Sequence, residues 1–364
     1  LLEPGKTPHE NAQFLLFLTA VIKAVDEFQD LLRISVANAG NDHRLGADEA
    51  PPAIVSMFIG DELQGILDAI VSGADYTDVE KTKMDLGVAV LPDIPKDTTD
   101  RNRTSPFAFT GNKFEFRMVG SSDSIAESNT VLNAMAAEAF CEAADELEGA
   151  ANFEEACKQY IVYTIKAHQR VIFNGDGYSE AWVQEAARRG LPNLRSMVDA
   201  IPMLTTEKAV RLFERFGIYT KSELESHAEI MYETYAKELN IEAQTMIHMA
   251  GKHYIPAAIT YITRLAASVG AVTQACPAAD VSVQQELLVH ISRLLKQAKE
   301  AEDALITAVE KANQTEEASG VAHLFHDEVV PVMTKLRATV DEMELLVDKD
   351  IWPVPTYGDL MFEV

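Results

Sequence analysis

Phe107-Ala108-Phe109-Thr110-Gly111-Asn112-Lys113-Phe114-Glu115-Phe116-Arg117 is the stretch that decides the fold class. Gly111-Asn112 is a turn pair, and the phenylalanines at 107, 109, 114 and 116 flank it at the period of two that marks strands, so the stretch reads as a hairpin. Side chains alternate along a strand, which puts Lys113, Glu115 and Arg117 on one face and two phenylalanines on the other. Beyond Ser128 the pattern is helical throughout, so the strands are confined to the first third of the chain. The chain is α+β, with short antiparallel strands packed with helices followed by an antiparallel helical bundle.

Upstream of the hairpin, Thr7, Pro8 and Glu10 have the spacing of a capping box, which predicts a helix from about Pro8. Its apolar stripe is Phe14, Leu18, Val21, Val25, Phe28 and Leu32, stepping by three and four, and that face is core. Residues 38–52, rich in Gly, Asn, Asp and Pro, read as a loop feeding a short strand over 53–59. Residues 93–105 are polar. Downstream, helices are expected from about Thr130 to Leu147 and from Phe153 to Phe173. A second capping box, Ser222 with Glu225, opens a run to about Ala271 that Pro256 should kink or break. Leu288, Ile291, Leu295, Ala298, Ala301, Leu305 and Ala308 form one seam; Val329, Met333, Leu336, Val340, Met343 and Val347 form another, near the 3.5-residue spacing of bundled helices.

The 57 Asp and Glu outweigh 31 Lys and Arg, a formal charge of -26 over 364 residues. Such a field repels phosphate backbones and anionic headgroups, which points away from nucleic acid and membrane surfaces as partners. It also means that any anionic substrate must be held by a local cluster of basic groups. Cys141, Cys157 and Cys276 match neither a disulfide framework nor a zinc set, and a reducing cytoplasm is the expected location. The apolar stretch from Phe14 to Ile22, read as the longest, is about half a membrane span. Because the chain opens at Leu1, in what reads as mid-sequence, it is expected to be a fragment of something longer.

Three segments place charge among apolar neighbours: 43–51, with Arg44 and Glu49; 101–106, with Arg101 and Arg103; and 113–117. A Lys, Glu, Arg alternation on a strand is ordinarily a solvated face with modest ion pairs. Together, however, Arg44, Arg101, Arg103, Lys113 and Arg117 with two carboxylates have the composition of an anion site with a metal. By contrast His323 and His326 read as surface or packing histidines, the methionines of the later helices as packing, the thiols of Cys157 and Cys276 as buried and inert, and Trp352 and Tyr357 as anchors of the tail.

The run from Asn41 to Ile54, the Asn102-Arg103-Thr104-Ser105-Pro106-Phe107 segment and Asn112 to Arg117 resemble the glutamine synthetases, the type III form in particular. The opening Leu1 to Gly5 and the closing Trp352 to Phe362 resemble that class as well. The resemblance implies that residues 1–185 are the C-terminal part of the catalytic domain and 186–364 a type III-specific helical domain. It implies a glutamate–ammonia ligase that uses ATP and Mg2+ (or Mn2+). It further implies glutamate and ammonium as substrates, a homo-oligomer of two hexameric rings (a dodecamer), and a cytoplasmic enzyme of nitrogen metabolism.

Residue by residue, the resemblance makes Glu115 a metal ligand and Arg117 a binder of substrate carboxylate. Arg103 neutralises the transferring phosphate, Lys113 lies near the nucleotide, Arg44 grips glutamate, and Glu49 takes a proton from ammonium on a flap hinged near Gly46. One departure stands out: the family's second arginine, five positions after the one matched by Arg103, is Ala108 here, with Arg101 a candidate substitute. The remaining metal ligands would lie upstream of Leu1, so the chain alone is expected to be inactive. Two other readings fit the same residues: a non-catalytic helical assembly module, and a ligase joining a different amine to glutamate.

Overall fold

The computed structural model describes residues 1–47, 50–74, 76, 83–84, 94–95 and 105–362. Two compact units divide the chain, Leu1–Ala228 and Glu229–Val364. In order, the first holds α1 (Ala12–Ile34), α2 (Ala39–Arg44), β1 (Met57–Phe58), α3 (Asp61–Ser72), β2 (Lys83–Met84), β3 (Ile94–Pro95), β4 (Phe107–Phe109), β5 (Phe114–Phe116), α4 (Ala126–Leu147), α5 (Phe153–His168), α6 (Glu180–Arg188), α7 (Met197–Ala200) and α8 (Glu207–Arg215).

α1 starts four residues later than the Thr7 box predicts. Pro8–Glu10 is a single 3-10 turn with no side-chain cap from Thr7, and Asn11 caps α1 by accepting from the Phe14 N–H at 3.0 Å. The predicted stripe is buried at Phe14, Leu18, Val25, Phe28 and Leu32, but so are Asp26, Gln29 and Arg33, because α1 packs against α4 and α5 and is covered on further sides by α7 and two 3-10 turns.

The sheet order is β1-β4-β5, with β4 and β5 antiparallel as the hairpin reading requires and β1 parallel to β4. A parallel bridge from Met57 to Ile172, with Phe173 N–H donating to Met57 O at 2.8 Å, extends this sheet, although the sequence places no sheet contact after Ser128. β2 and β3 form a separate antiparallel pair. Within 38–52, read as a loop, the structure has α2, capped by Asn38 accepting from Asn41 N–H at 2.7 Å.

The sequence reading divides the chain at 185/186, whereas the compact units meet at 228/229. The reason is that 180–215 folds back onto the start of the chain. Trp182 stacks on Phe173 at 3.8 Å beside Ile54; Arg33 Nε donates to Leu194 O at 2.6 Å; Lys208 pairs with Asp30 at 2.7 Å and Arg215 with Glu138 at 2.8 Å.

The second unit is helical. The boundary falls within α9 (Lys221–Met249), and α10 (Ile255–Ala275), α11 (Ser282–Asn313), α12 (Ala318–Leu324), α13 (Val330–Glu344) and α14 (Tyr357–Phe362) follow. The capping box of α9 is Thr220 with Glu223, whose carboxylate accepts the Thr220 N–H at 2.8 Å, two residues before the predicted pair. Pro256 lies in the first turn of α10, directly after a π-turn, Ala250–Tyr254, that absorbs the missing N–H. Of the expected seams, Ile291, Ala298, Ala301 and Leu305 are buried on one and Val329, Leu336, Met343 and Val347 on the other, while Leu294 and Val309 are buried where Leu295 and Ala308 are expected. Trp352 is buried with them, stacked on Tyr254 at 5.2 Å. Cys276 is exposed, so only Cys157 of that pair is a buried thiol.

One helical run among the described residues, Lys221–Ala275, is long and apolar enough to cross a membrane by length and composition. Within it α10 is a longer apolar stretch than Phe14–Ile22, interrupted by a single charge, Arg264, which pairs with Asp348 at 3.5 Å. Its Ala258 and Leu265 are buried, Ala258 in the bundle core.

Candidate active-site fragment

The hairpin orients its charges by burying its rings. Phe107, Phe109 and Phe114 pack ring on ring at 5.2 Å, with Phe116 at 6.1 Å from Phe107, and Phe14 of α1 lies 6.0 Å from Phe109. Alternation then turns Lys113, Glu115 and Arg117 to the opposite face. Arg117 Nε and Nη2 donate to Glu115 Oε2 at 3.2 and 3.1 Å, with the arginine side chain 16% exposed and the carboxylate 42%. Ala108 stands directly across from Glu115 and is fully buried, so an arginine there would share Glu115's face of the sheet.

α2 brings a second guanidinium to the end of that strand. Arg44 Nη1 donates to Asn41 Oδ1 at 3.2 Å and to Met118 O at 3.0 Å, and Nη2 to Arg117 O at 3.4 Å. Asn41, itself buried, donates to Val36 O at 2.7 Å and Met118 O at 3.1 Å. Asp42 accepts from Arg33 Nη2 at 3.2 Å and from Met197 N–H at 2.7 Å. α2 is therefore pinned on both sides, and its last residue meets the chain two to three residues beyond Glu115.

Arg44, Glu115 and Arg117 thus share one neighbourhood; Lys113 is on the same strand face, exposed, two residues before Glu115. Glu49, Arg101 and Arg103 lie outside the described residues. The segments that bear them are bounded by defined contacts: Gly46, at φ +77°, donates its N–H to Pro51 O at 2.9 Å, and Ser105 Oγ donates to Phe107 O at 3.1 Å. Sequence reading missed Asn41 and Asp42, taken there as loop residues. The available signal was the i, i+3 spacing of Asn38, Asn41 and Arg44.

Mg2+ requires near-octahedral oxygen coordination. Among the described residues no group of three His, Cys, Asp or Glu is gathered to hold a metal ion, so Glu115 is a single donor and these residues alone do not fit a complete site.

Residues 156–273 match the glutamine synthetase C-terminal domain. The chain is 40% identical over 369 residues to the type-3 glutamine synthetase of Dictyostelium discoideum, an alignment covering 100% of the chain and 50% of that protein. The chain is homologous, from end to end, to half of a glutamine synthetase. Glutamine synthetases of Butyrivibrio fibrisolvens and Bacteroides fragilis (strain YCH46) are each 39% identical to it, over 376 and 375 residues, again covering all of the chain and 52% and 51% of their own lengths. These glutamine synthetases extend the likeness to the hairpin and α2, which the domain match leaves out. The chain spans about half the length of the curated relatives it matches.

Proposed function

We propose that this chain supplies part of the active site of an ATP-dependent glutamate–ammonia ligase, in which the glutamate γ-carboxylate is phosphorylated and ammonia then displaces the phosphate to give glutamine. The observation that carries the reading is the convergence of the Arg44 and Arg117 guanidinium groups on the strand bearing Glu115, in a chain whose net charge is -26. Moving a phosphoryl group from ATP to a carboxylate gathers anions, so the protein's task is to supply fixed positive charge and to keep water from the acyl phosphate.

In this reading Arg44 and Arg117 bind glutamate, Arg103 neutralises the transferring phosphoryl group, and Lys113 contacts the nucleotide. Glu49 removes a proton from ammonium as the segment after Gly46 closes. Glu115 supplies one carboxylate to a divalent cation, Mg2+ or Mn2+, whose other ligands come from outside this half. The complete protein works as a dodecamer of two hexameric rings in the cytoplasm, and the chain alone forms no glutamine. Phosphate release by the full-length protein, compared between ammonium and alkylamines, tests the substrate assignment. Glutamate-dependent release that ammonium stimulates best supports it, and release driven by an alkylamine and not by ammonium overturns it.

A further inference from the structure

Asn38, which caps α2, and Asn41 and Arg44 within it recur every third residue, and all three reach the run that leaves β5. Asn38 Nδ2 donates to Asp123 Oδ2 at 2.8 Å, Asn41 Nδ2 to Met118 O at 3.1 Å, and Arg44 Nη1 to the same carbonyl at 3.0 Å. Asn41, 3% exposed, is the middle member. Its amide has one workable orientation: Nδ2 also donates to Val36 O at 2.7 Å, and the swapped amide would set an oxygen against two carbonyls. Oδ1 therefore faces Arg44 and accepts from Nη1 at 3.2 Å.

Arg44 is held differently from other arginines of its unit. Arg33, Arg117, Arg170 and Arg215 each hold a carboxylate. Arg44 donates to an amide oxygen and to the Arg117 and Met118 carbonyls, all neutral, and pairs with no carboxylate among the described residues. Its charge is fixed in place and left uncompensated, in a chain of net charge -26 where acids are plentiful. Two bonds from Nη1 use both of its hydrogens, and one bond from Nη2 uses one of two. The other Nη2 hydrogen and the Nε hydrogen, which no described residue accepts, remain. Those donors lie side by side on one edge of the planar group, the fork that takes both oxygens of a carboxylate.

We propose that Asn41 is a positioning residue of the glutamate site. With the Arg117 and Met118 carbonyls it fixes Arg44 so that the Nε–Nη2 edge is reserved for a substrate carboxylate. Because it is a neutral amide, it orients the guanidinium without spending the charge that the substrate needs. The inference rests on the ligase reading, in which Arg44 binds glutamate, and adds to it which edge of Arg44 is used and what holds that edge ready.

Steady-state kinetics of the full-length protein, each variant assayed below its unfolding midpoint, tests it. Asn41→Ala should raise the KM for glutamate roughly tenfold, the loss of one hydrogen bond to a charged group, and leave the KM for ATP within about twofold. In an Arg44→Ala background, removing Asn41 should change kcat/KM for glutamate by less than about twofold, because Asn41 acts through Arg44; additive losses overturn the proposal. Asn41→Asp matches the shape and keeps an oxygen on Nη1 but adds a negative charge. It should raise the KM for glutamate more than Asn41→Ala does, and it reads the proposal even where Asn41→Ala fails to fold; a wild-type KM in Asn41→Asp overturns it. Wild-type protein that makes no glutamine sinks the ligase reading and this inference with it. Normal synthesis with the glutamate KM unmoved in Asn41→Ala sinks this inference alone.

Discussion

The interiors of the two units are built from different material. Among the described residues, Leu1–Ala228 buries eleven polar or charged side chains, including Asp26, Gln29, Arg33, Asn41 and Glu138, whereas Glu229–Val364 buries Glu302 and Thr339. The helical unit is held by apolar seams in which any residue of similar shape serves. The first unit spends buried hydrogen bonds on fixing where a few charged groups stand, and such networks specify geometry more than they add stability. A unit that must hold Arg44 against the strand of Glu115 has use for that kind of interior, and a bundle does not.

The comparison breaks most readily at Arg33. Its guanidinium is 1% exposed and Asp42 is its carboxylate partner, so Asp42→Ala strands a buried charge and should cost about 3–5 kcal/mol. The denaturant midpoint should fall with little change of slope; a change below about 1 kcal/mol would mean that the polar interior is not what holds α2. In the helical unit the matching cut is Ile291→Ala, fully buried, for which about 3 kcal/mol is expected from lost burial and a residual cavity. Its size should track the side chain removed, with Ile291→Val costing only about 1 kcal/mol. Asn41→Ala, which removes one acceptor from Arg44 and the side-chain donor to Val36 O while Met118 O keeps Arg44, should cost about 2 kcal/mol by thermal unfolding.

Two pH effects sharpen the contrast at smaller amplitude. Glu27 has its carboxyl raised by burial, with Lys23 opposing. A raised carboxyl favours the fold below its ordinary range and loses that contribution as pH climbs through the raised value, so Glu27 disfavours the fold near neutrality. Glu27→Gln should raise Tm at pH 7 and make little difference in acid; a lower Tm at both pH values would contradict this. Asp359, partly buried on α14, is lowered from 3.8 to about 2 by Lys349, with the Thr356 N–H and hydroxyl adding to it. Its support for α14 is present above 3.8 and lost as pH falls through about 2, which amide exchange within 357–362 should follow while the seam amides stay protected.

The hairpin was legible because strand alternation and the Gly111-Asn112 turn are local, and the two bundle seams because their period is. What escaped is what periodicity cannot see. Apolar spacing identified one face of α1 but not that Asp26 and Arg33 are buried as well, since their partners at 168, 170, 194 and 195 are distant in sequence. Capping chemistry was misplaced twice, since Thr7 competes with Asn11 and Ser222 with Thr220, and only the preceding chain direction decides between them. The return of 180–215 onto α1 and α4 rests on single long-range pairs, and no composition shift marks the boundary near Ala228. Of the candidate site, the sequence supplied the charged residues, but the α2 clamp through Asn41 and Asp42 needed coordinates.

Glutamine formation by the full-length protein carrying Glu115→Ala is the most direct measure of whether this neighbourhood is catalytic. The account predicts a loss of roughly a hundredfold or more in kcat with the unfolding midpoint of the protein little changed, since Glu115 is half-exposed and its pair with Arg117 lies at the surface. Glutamine synthesis at the wild-type rate would contradict it and leave the Arg44, Glu115 and Arg117 cluster a structural ion pair.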